Sequence, residues 1–315
     1  MEQLDLSLIN IEKEIKNTLK EIDNDVLNLT EFKYNLLGKA IRSRFTMLFS
    51  SSLNLPKDKA EKIAIVSELT HNASLLHDDC IDNALRRRGQ PTINAALGIN
   101  KAILIGDLVI SIAFKYAQSL SCDISNNLVE TVRKMTEGAL IEENNKYSII
   151  TMEQYKKMVS YKTSSLFRWI TLSATSLSDL NHFEKSARIA ENFGLSFQII
   201  DDILDLTDEN NTGKDKFKDL SEGKITMPIL LSLEDEKISG MVKEKINKFF
   251  NSNPANYSMV LEILEILKEN RYIEKSRKMA IKLIEDIRED ALSIVNKKEA
   301  INFYSYIYSI AERNK

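Results

Sequence analysis

At 315 residues the chain is long enough to bury roughly 75% of the surface its unfolded form exposes. Its nine glycines and four prolines are too few for the regular turns of a sheet, which excludes an all-β or Rossmann-like fold. With 43 basic and 46 acidic residues the net charge is -3, so no general basic field for nucleic acid exists.

Taken in chain order, the first element is amphipathic. Leu4, Leu8, Ile11, Ile15, Leu19 and Ile22 recur every three or four residues between Lys and Glu. This start carries charges at once and has no basic leader pattern, and no stretch of about 20 apolar residues suggests a membrane span. Cys80 and Cys122 read as free thiols, which places the expected location in a reducing cytoplasm. The segment GKAIRSR (38–44) puts Lys39 and Arg42 near a helix start. Helical patterns then run from Pro56 to about Leu85, with the arginines 86–88 in its last turn ahead of a stop at Gly89-Gln90-Pro91. Further patterns cover 101–121, 125–146, 152–177, 183–206, 225–234, 239–251, 257–270, 272–295 and 297–312. Pro56 and Pro228 suit first-turn positions, where a missing N–H costs nothing. No linker divides the chain, so one all-α domain of about ten or more helices spanning 1–315 is expected. Between them, Thr207 to Thr226 reads TDENNTGKDKFKDLSEGKIT, a polar loop of a length usually reserved for function or disorder.

Two segments repeat one pattern: LLHDDCID at 75–82 and IIDDILDL at 199–206. Asp78 and Asp82 share a helix face, as do Asp201 and Asp205, with Asp79 and Asp202 alongside. One such cluster can be solvated surface. Two, each at the tip of an apolar helix, call for cations, and oxygen-only ligands suit Mg²⁺ held jointly by carboxylates and substrate phosphates. Basic groups near by, Arg87 and Arg88 after the first cluster and Lys214 and Lys224 in the long loop, suit diphosphate. His71, Ser74, Asp78 and Asp82 line one face; Gly194, Gln198, Asp201 and Asp205 line another, giving small or polar residues beneath each acidic tip. Glu68 and His71 also form an ExxH, but a di-iron site needs a second ExxH and the chain has three histidines and no other such unit. No cysteine has a convincing histidine partner for nucleophilic catalysis.

These motifs resemble those of the trans-type isoprenyl diphosphate synthases, or polyprenyl synthetases. The resemblance covers nearly the whole chain. HDDCIDNALRRRG (77–89) and FQIIDDILDL (197–206) match the two aspartate-rich motifs, Gly38 to Arg42 the Gly-Lys…Arg segment, Lys162-Thr163 the Lys-Thr dipeptide, and 213–226 the Gly-Lys loop. Leu37, Ser43 and Phe217 stand where the family commonly has Gly, Pro and Gly. What the resemblance implies is an all-α fold around a deep central cavity, three Mg²⁺ per active site, and a homodimer. It implies that Lys39, Arg42, His71 and Arg88 bind isopentenyl diphosphate, and that Arg87, Lys162, Thr163, Gln198, Lys214 and Lys224 hold the allylic diphosphate. It makes Asp78, Asp82 and Asp201 the principal metal ligands, with Asp79, Asp202 and Asp205 in support, and Arg87 and Lys162 catalytic beside them. The residues five and four before the first Asp form the family's chain-length floor; Ala73 and Ser74 are small, which favours a medium- or long-chain product. The aromatics Phe114, Tyr116, Phe167 and Trp169 are the candidates to close the tunnel from another helix. The alternatives are a farnesyl- or geranylgeranyl-length synthase, a subunit of a heteromeric prenyl synthase, and a class I terpene cyclase.

Overall fold

The computed structural model describes residues 2–20, 22, 37–87, 89–178, 180–207, 217–252 and 257–313, and the elements named below lie within them. Among the described residues the chain is all-α apart from one hairpin of two two-residue strands. No described helix is long and apolar enough to cross a membrane. Residues group into two compact units, each assembled from three stretches of chain.

The first unit comprises residues 1–132, 169–186 and 292–303. It holds α1 (Glu2–Leu19), α2 (Ile41–Ser52), α3 (Lys57–Ile81), the hairpin of β1 (Arg86–Arg87) and β2 (Gln90–Pro91), α4 (Ile93–Leu97) and α5 (Ile99–Gln118). α1 buries Leu8, Ile11 and Ile15, the stripe that its spacing predicts. α3 packs against α1, α2 and α5 and is apolar on most sides, burying Ile63, Val66, Leu69, Ala73 and Leu76. A polar strut crosses this core: buried Glu68 accepts the Ser43 N–H at 2.9 Å and its hydroxyl at 2.6 Å. The Glu of the ExxH is thereby satisfied within the protein. Phe45 and Phe49 of α2 meet Phe303 edge-on, with ring centroids 5.2 and 5.3 Å away.

The second unit comprises residues 133–168, 187–291 and 304–315. It holds most of the later elements: α7 (Met152–Val159), a π-helical turn (Ser160–Ser164), α10 (Lys218–Ser221), α11 (Met227–Glu234), α12 (Ser239–Phe250), α13 (Tyr257–Glu269), α14 (Tyr272–Asp286) and α15 (Arg288–Leu292). The helices α6 (Cys122–Asn144), α8 (Ser165–Ser176), α9 (Phe183–Thr207) and α16 (Lys297–Glu312) contribute residues to both units, as does α15 through Leu292. α7 opens on a capping box in which Thr151 and Gln154 satisfy each other's backbone N–H. Its core gathers Val159, Ile199, Ile203, Met227, Ile229 and Ile246.

The expected boundaries shift in four places. α3 stops at Ile81, because Asn83 turns left-handed at φ 49°, and the two arginines that follow lie on a strand and not in a last helical turn. α2 and α4 are helices that the apolar period did not announce. The 152–177 pattern is interrupted by the π turn, and the 272–295 pattern divides at Ile287. Pro228 does sit in a first turn, whereas Pro56 caps α3 from outside.

Candidate active site

The end of α3 carries the first aspartate cluster, and helical geometry sorts it into two faces. Asp79 is buried, while His71, Ser74, Asp78 and Asp82 are half-buried. Buried Asp79 takes the guanidinium of Arg87 as a fork: Nε lies 3.0 and 3.1 Å from its two oxygens and Nη2 2.7 Å from Oδ1. Planar pairing of this kind is among the stronger hydrogen bonds a protein makes. The turn after Asn83 makes it possible. Ala84 N–H donates to the Asp79 carbonyl at 2.9 Å, Thr92 Oγ1 donates to the Ala84 carbonyl at 2.6 Å, and Asn94 Nδ2 donates to both carbonyls. Of the two floor residues, Ala73 is buried, and Ser74 is half-buried with its hydroxyl donating to the His71 carbonyl. Trp169 donates its indole N–H to the Ile124 carbonyl, and the Tyr116 hydroxyl pairs with Thr18 and Glu14.

Lys39 and Arg42 lead into α2 through a strained turn. Gly38 and Ala40 both adopt left-handed backbone, at φ 52° and 51°. For alanine this costs about 1–3 kcal/mol, a strain that recurs at ligand sites. Ala40 N–H closes the turn onto the Leu37 carbonyl at 2.7 Å. Lys39 is exposed and Arg42 half-buried. Arg88 lies outside the described residues.

In the second unit, the end of α9 carries the second cluster. Buried Asp202 accepts three donors: Tyr155 O–H at 2.7 Å, Gln198 Nε2 at 3.0 Å and Met227 N–H at 2.8 Å. Burial, helped by the charge of Asp219, still pushes its carboxyl up to about 7. Asp205 and Asp219 are likewise raised, first by burial; Asp205 accepts the N–H groups that open α10, from Lys218 and Asp219. Asp201 is half-buried and ion-pairs with Arg313. The π turn supplies the next layer. Thr163 Oγ1 donates to Gln198 Oε1 at 3.0 Å, so a hydrogen-bonded line runs from Thr163 through Gln198 to Asp202. Lys162 Nζ meets Glu142 at 2.5 Å, and Lys224 meets Glu222 at 2.6 Å and the same Glu142 at 3.8 Å. Lys214 lies outside the described residues. Phe217, where the family commonly has Gly, adopts φ 61°, the left-handed region glycine takes freely; here a buried aromatic ring holds that backbone in place.

Lys162, Thr163, Gln198, Asp202, Asp205 and Lys224 thus fall into one connected network of this unit, and Asp79 and Arg87 into a pair of the other. Glu142, Tyr155, Asp219 and Arg313 complete these arrangements and were not singled out by the sequence. One signal pointed towards Glu142: Gly138, one turn earlier, is a glycine inside a helix, where close approach is a usual reason. A Cβ there would come within 2.4 Å of the Lys162 nitrogen. Among the described residues no three His, Cys, Asp or Glu side chains are gathered into a ready-made metal cage. The donor sets nevertheless suit hard cations. They are all oxygen, and the carboxyls of Asp202 and Asp205 are raised because too little positive charge faces them.

Comparison with known proteins agrees with this chemistry. The family model of polyprenyl synthetase matches residues 26–267. A prenyl transferase of Cyanidium caldarium is 29% identical over 321 residues, covering 98% of this chain and 96% of its own. The all-trans-nonaprenyl-diphosphate synthase (geranyl-diphosphate specific) of Rhodobacter capsulatus is 36% identical over 219 residues, 67% of this chain and 66% of its own. Among solved structures, the polyprenyl synthase of Caulobacter crescentus CB15, complexed with calcium and isoprenyl diphosphate, superposes with a TM-score of 0.85 at 20% identity, covering 100% of this chain and 97% of its own.

Proposed function

Because the chain belongs to the polyprenyl synthetase family and is a trans-prenyltransferase, we propose that it condenses isopentenyl diphosphate with an allylic diphosphate to a medium- or long-chain all-trans product. The observation that carries this reading is the sorting of each aspartate motif. One aspartate, Asp79 or Asp202, is buried on protein donors, while Asp78, Asp82 and Asp201 stand half-buried. Those three are the principal ligands of Mg²⁺, three ions per active site, with Asp79, Asp202 and Asp205 in support. Bound Mg²⁺ neutralises the charge that develops on the departing diphosphate.

The chain's own residues do the rest. Lys162, Thr163, Gln198, Arg87, Lys214 and Lys224 hold the allylic diphosphate while its carbon–oxygen bond breaks. Lys39, Arg42, His71 and Arg88 hold isopentenyl diphosphate so that its double bond attacks the allylic carbocation. The new carbon–carbon bond leaves a cation that loses a proton to the released diphosphate. Water must be excluded throughout, since it would capture the cation. Small Ala73 and Ser74 leave room for growth of the product. The relatives named as long-chain synthases support that length, the nonaprenyl enzyme among them.

The working form is a cytoplasmic homodimer whose two units per chain act as one folding domain. A single family model spans both units, and α5 exposes Ile99, Ile103, Leu104 and Leu108, an apolar face suited to a second copy. Incubation of the purified chain with labelled isopentenyl diphosphate, Mg²⁺ and farnesyl diphosphate tests the reading. Products several isoprene units longer are expected. No elongation from that primer or a shorter one overturns it in favour of a partner-dependent subunit or a cyclase. Asp78→Ala should abolish turnover with the fold intact, and near-normal condensation by that variant at saturating Mg²⁺ would remove Asp78 from the metal site.

A further inference from the structure

The end of α16 brings a cation to the second aspartate motif. Arg313, 12% exposed in its side chain, ion-pairs with Asp201. Its guanidinium carbon lies 4.7 Å from the ring centre of Phe197, one turn before Asp201 on α9, so the charge is stacked on one residue and aimed at another. Arg277 of α14 anchors the backbone beneath it, donating from Nη1 to the Arg313 carbonyl at 2.9 Å. The Nε–H of Arg313 is buried and has no acceptor among the described residues. A pair meant only to stabilise the fold would be expected to use that donor, since a buried one left unmet costs about 1–3 kcal/mol.

The geometry points to Arg313 as an internal counter-ion that occupies Asp201 in the metal-free chain and is displaced when the divalent cation and its diphosphate arrive. The inference rests on the proposed role of Asp201 as a metal ligand. A half-buried carboxylate awaiting a metal carries its charge away from bulk water, and the guanidinium balances that charge between turnovers. On displacement, the free guanidinium and its unmet Nε–H become available to an oxygen-rich anion. Arg313 is therefore a positioning residue, competing with the metal first and setting the order of loading.

The test is direct binding of Mn²⁺ to the substrate-free protein, followed by the loss of the free ion's electron paramagnetic resonance signal. Arg313→Ala should bind Mn²⁺ about fivefold more tightly than the unaltered chain, the worth of one partly exposed ion pair. Phe197→Leu removes the stacking face without changing charge and should tighten binding in the same direction; Arg313→Lys should fall between. Lys275→Ala removes a charge elsewhere in the same unit and should change nothing. Unchanged or weaker binding by Arg313→Ala overturns the inference, as does equal tightening by Lys275→Ala. Asp201→Asn separates the two readings. If it weakens Mn²⁺ binding while Arg313→Ala leaves it unchanged, the counter-ion alone fails; if it binds as the unaltered chain does, or no form binds, the ligand role of Asp201 fails with it.

Discussion

Arg87 and Asp79 show how a side chain expected to meet a ligand can also hold a structural partner. The Arg-Arg-Gly that follows the first aspartate motif reads as a diphosphate ligand, yet the Arg87 guanidinium is forked onto a buried carboxylate. Arg87→Ala should therefore cost roughly 3 kcal/mol of stability, because removing one member of a largely buried pair leaves the other uncompensated. Denaturant unfolding measures this, and a loss below about 1 kcal/mol would mean that the pair is an ordinary surface contact. Helical spacing parts Asp79 from the face shared by Asp78 and Asp82, but nothing in the order of residues 77–89 tells that Arg87 turns back onto it. That depends on the turn at Asn83 and on Thr92 and Asn94, which lie past the motif. Glu142 escaped for the same reason: its partners Lys162 and Lys224 are remote in sequence.

At the scale of elements, α6 and α9 each fit against the π turn only because a helical glycine, Gly138 on α6 and Gly194 on α9, faces it. A Cβ on Gly194 would stand 2.3 Å from Ser164 Oγ and 2.6 Å from its Cα, and one on Gly138 would meet Lys162. Gly194→Ala should destabilise by about 1–3 kcal/mol, as overpacking does. It should also lower kcat, by moving the Thr163–Gln198 hydrogen bond; a variant with unchanged kcat and Tm would show that the contact gives way freely. Most helices were legible because their apolar residues recur at the helical period. α2 was announced only at its start, by the segment 38–44, since its buried Ser43, Thr46 and Ser50 carry no apolar signal. The π turn was not legible: it inserts one residue into a helix whose flanking apolar stripes stay intact, and period alone does not register so small a shift.

For the molecule as a whole, the shortage of glycine and proline made the all-α class legible from composition, and the two aspartate motifs with the segments around them made the family legible. The charge state of the second unit was not, because it arises from burial. Asp202, Asp205 and Asp219 have raised carboxyls, so between the ordinary carboxylate range and about pH 7 the native chain binds more protons than the unfolded one. Stability then falls as pH rises through that window. Metal-free protein should melt at a higher temperature at pH 5 than at pH 7.5, and Asp219→Asn should narrow the difference; parallel curves for the two chains would refute the assignment. The partition into two units also bears on how the protein is made. The first unit takes residues 292–303 as its last segment, and Phe303 joins the rings of Phe45 and Phe49 while Asn296 N–H donates to the Ser52 carbonyl at 3.1 Å. As the ribosome delivers the chain, α2 and α3 emerge long before these partners. Usually an N-terminal domain can finish folding during synthesis. Here the first unit must wait, its aromatic face uncovered, until translation has passed Phe303, and that interval is when nascent chains are most exposed to aggregation and to chaperones.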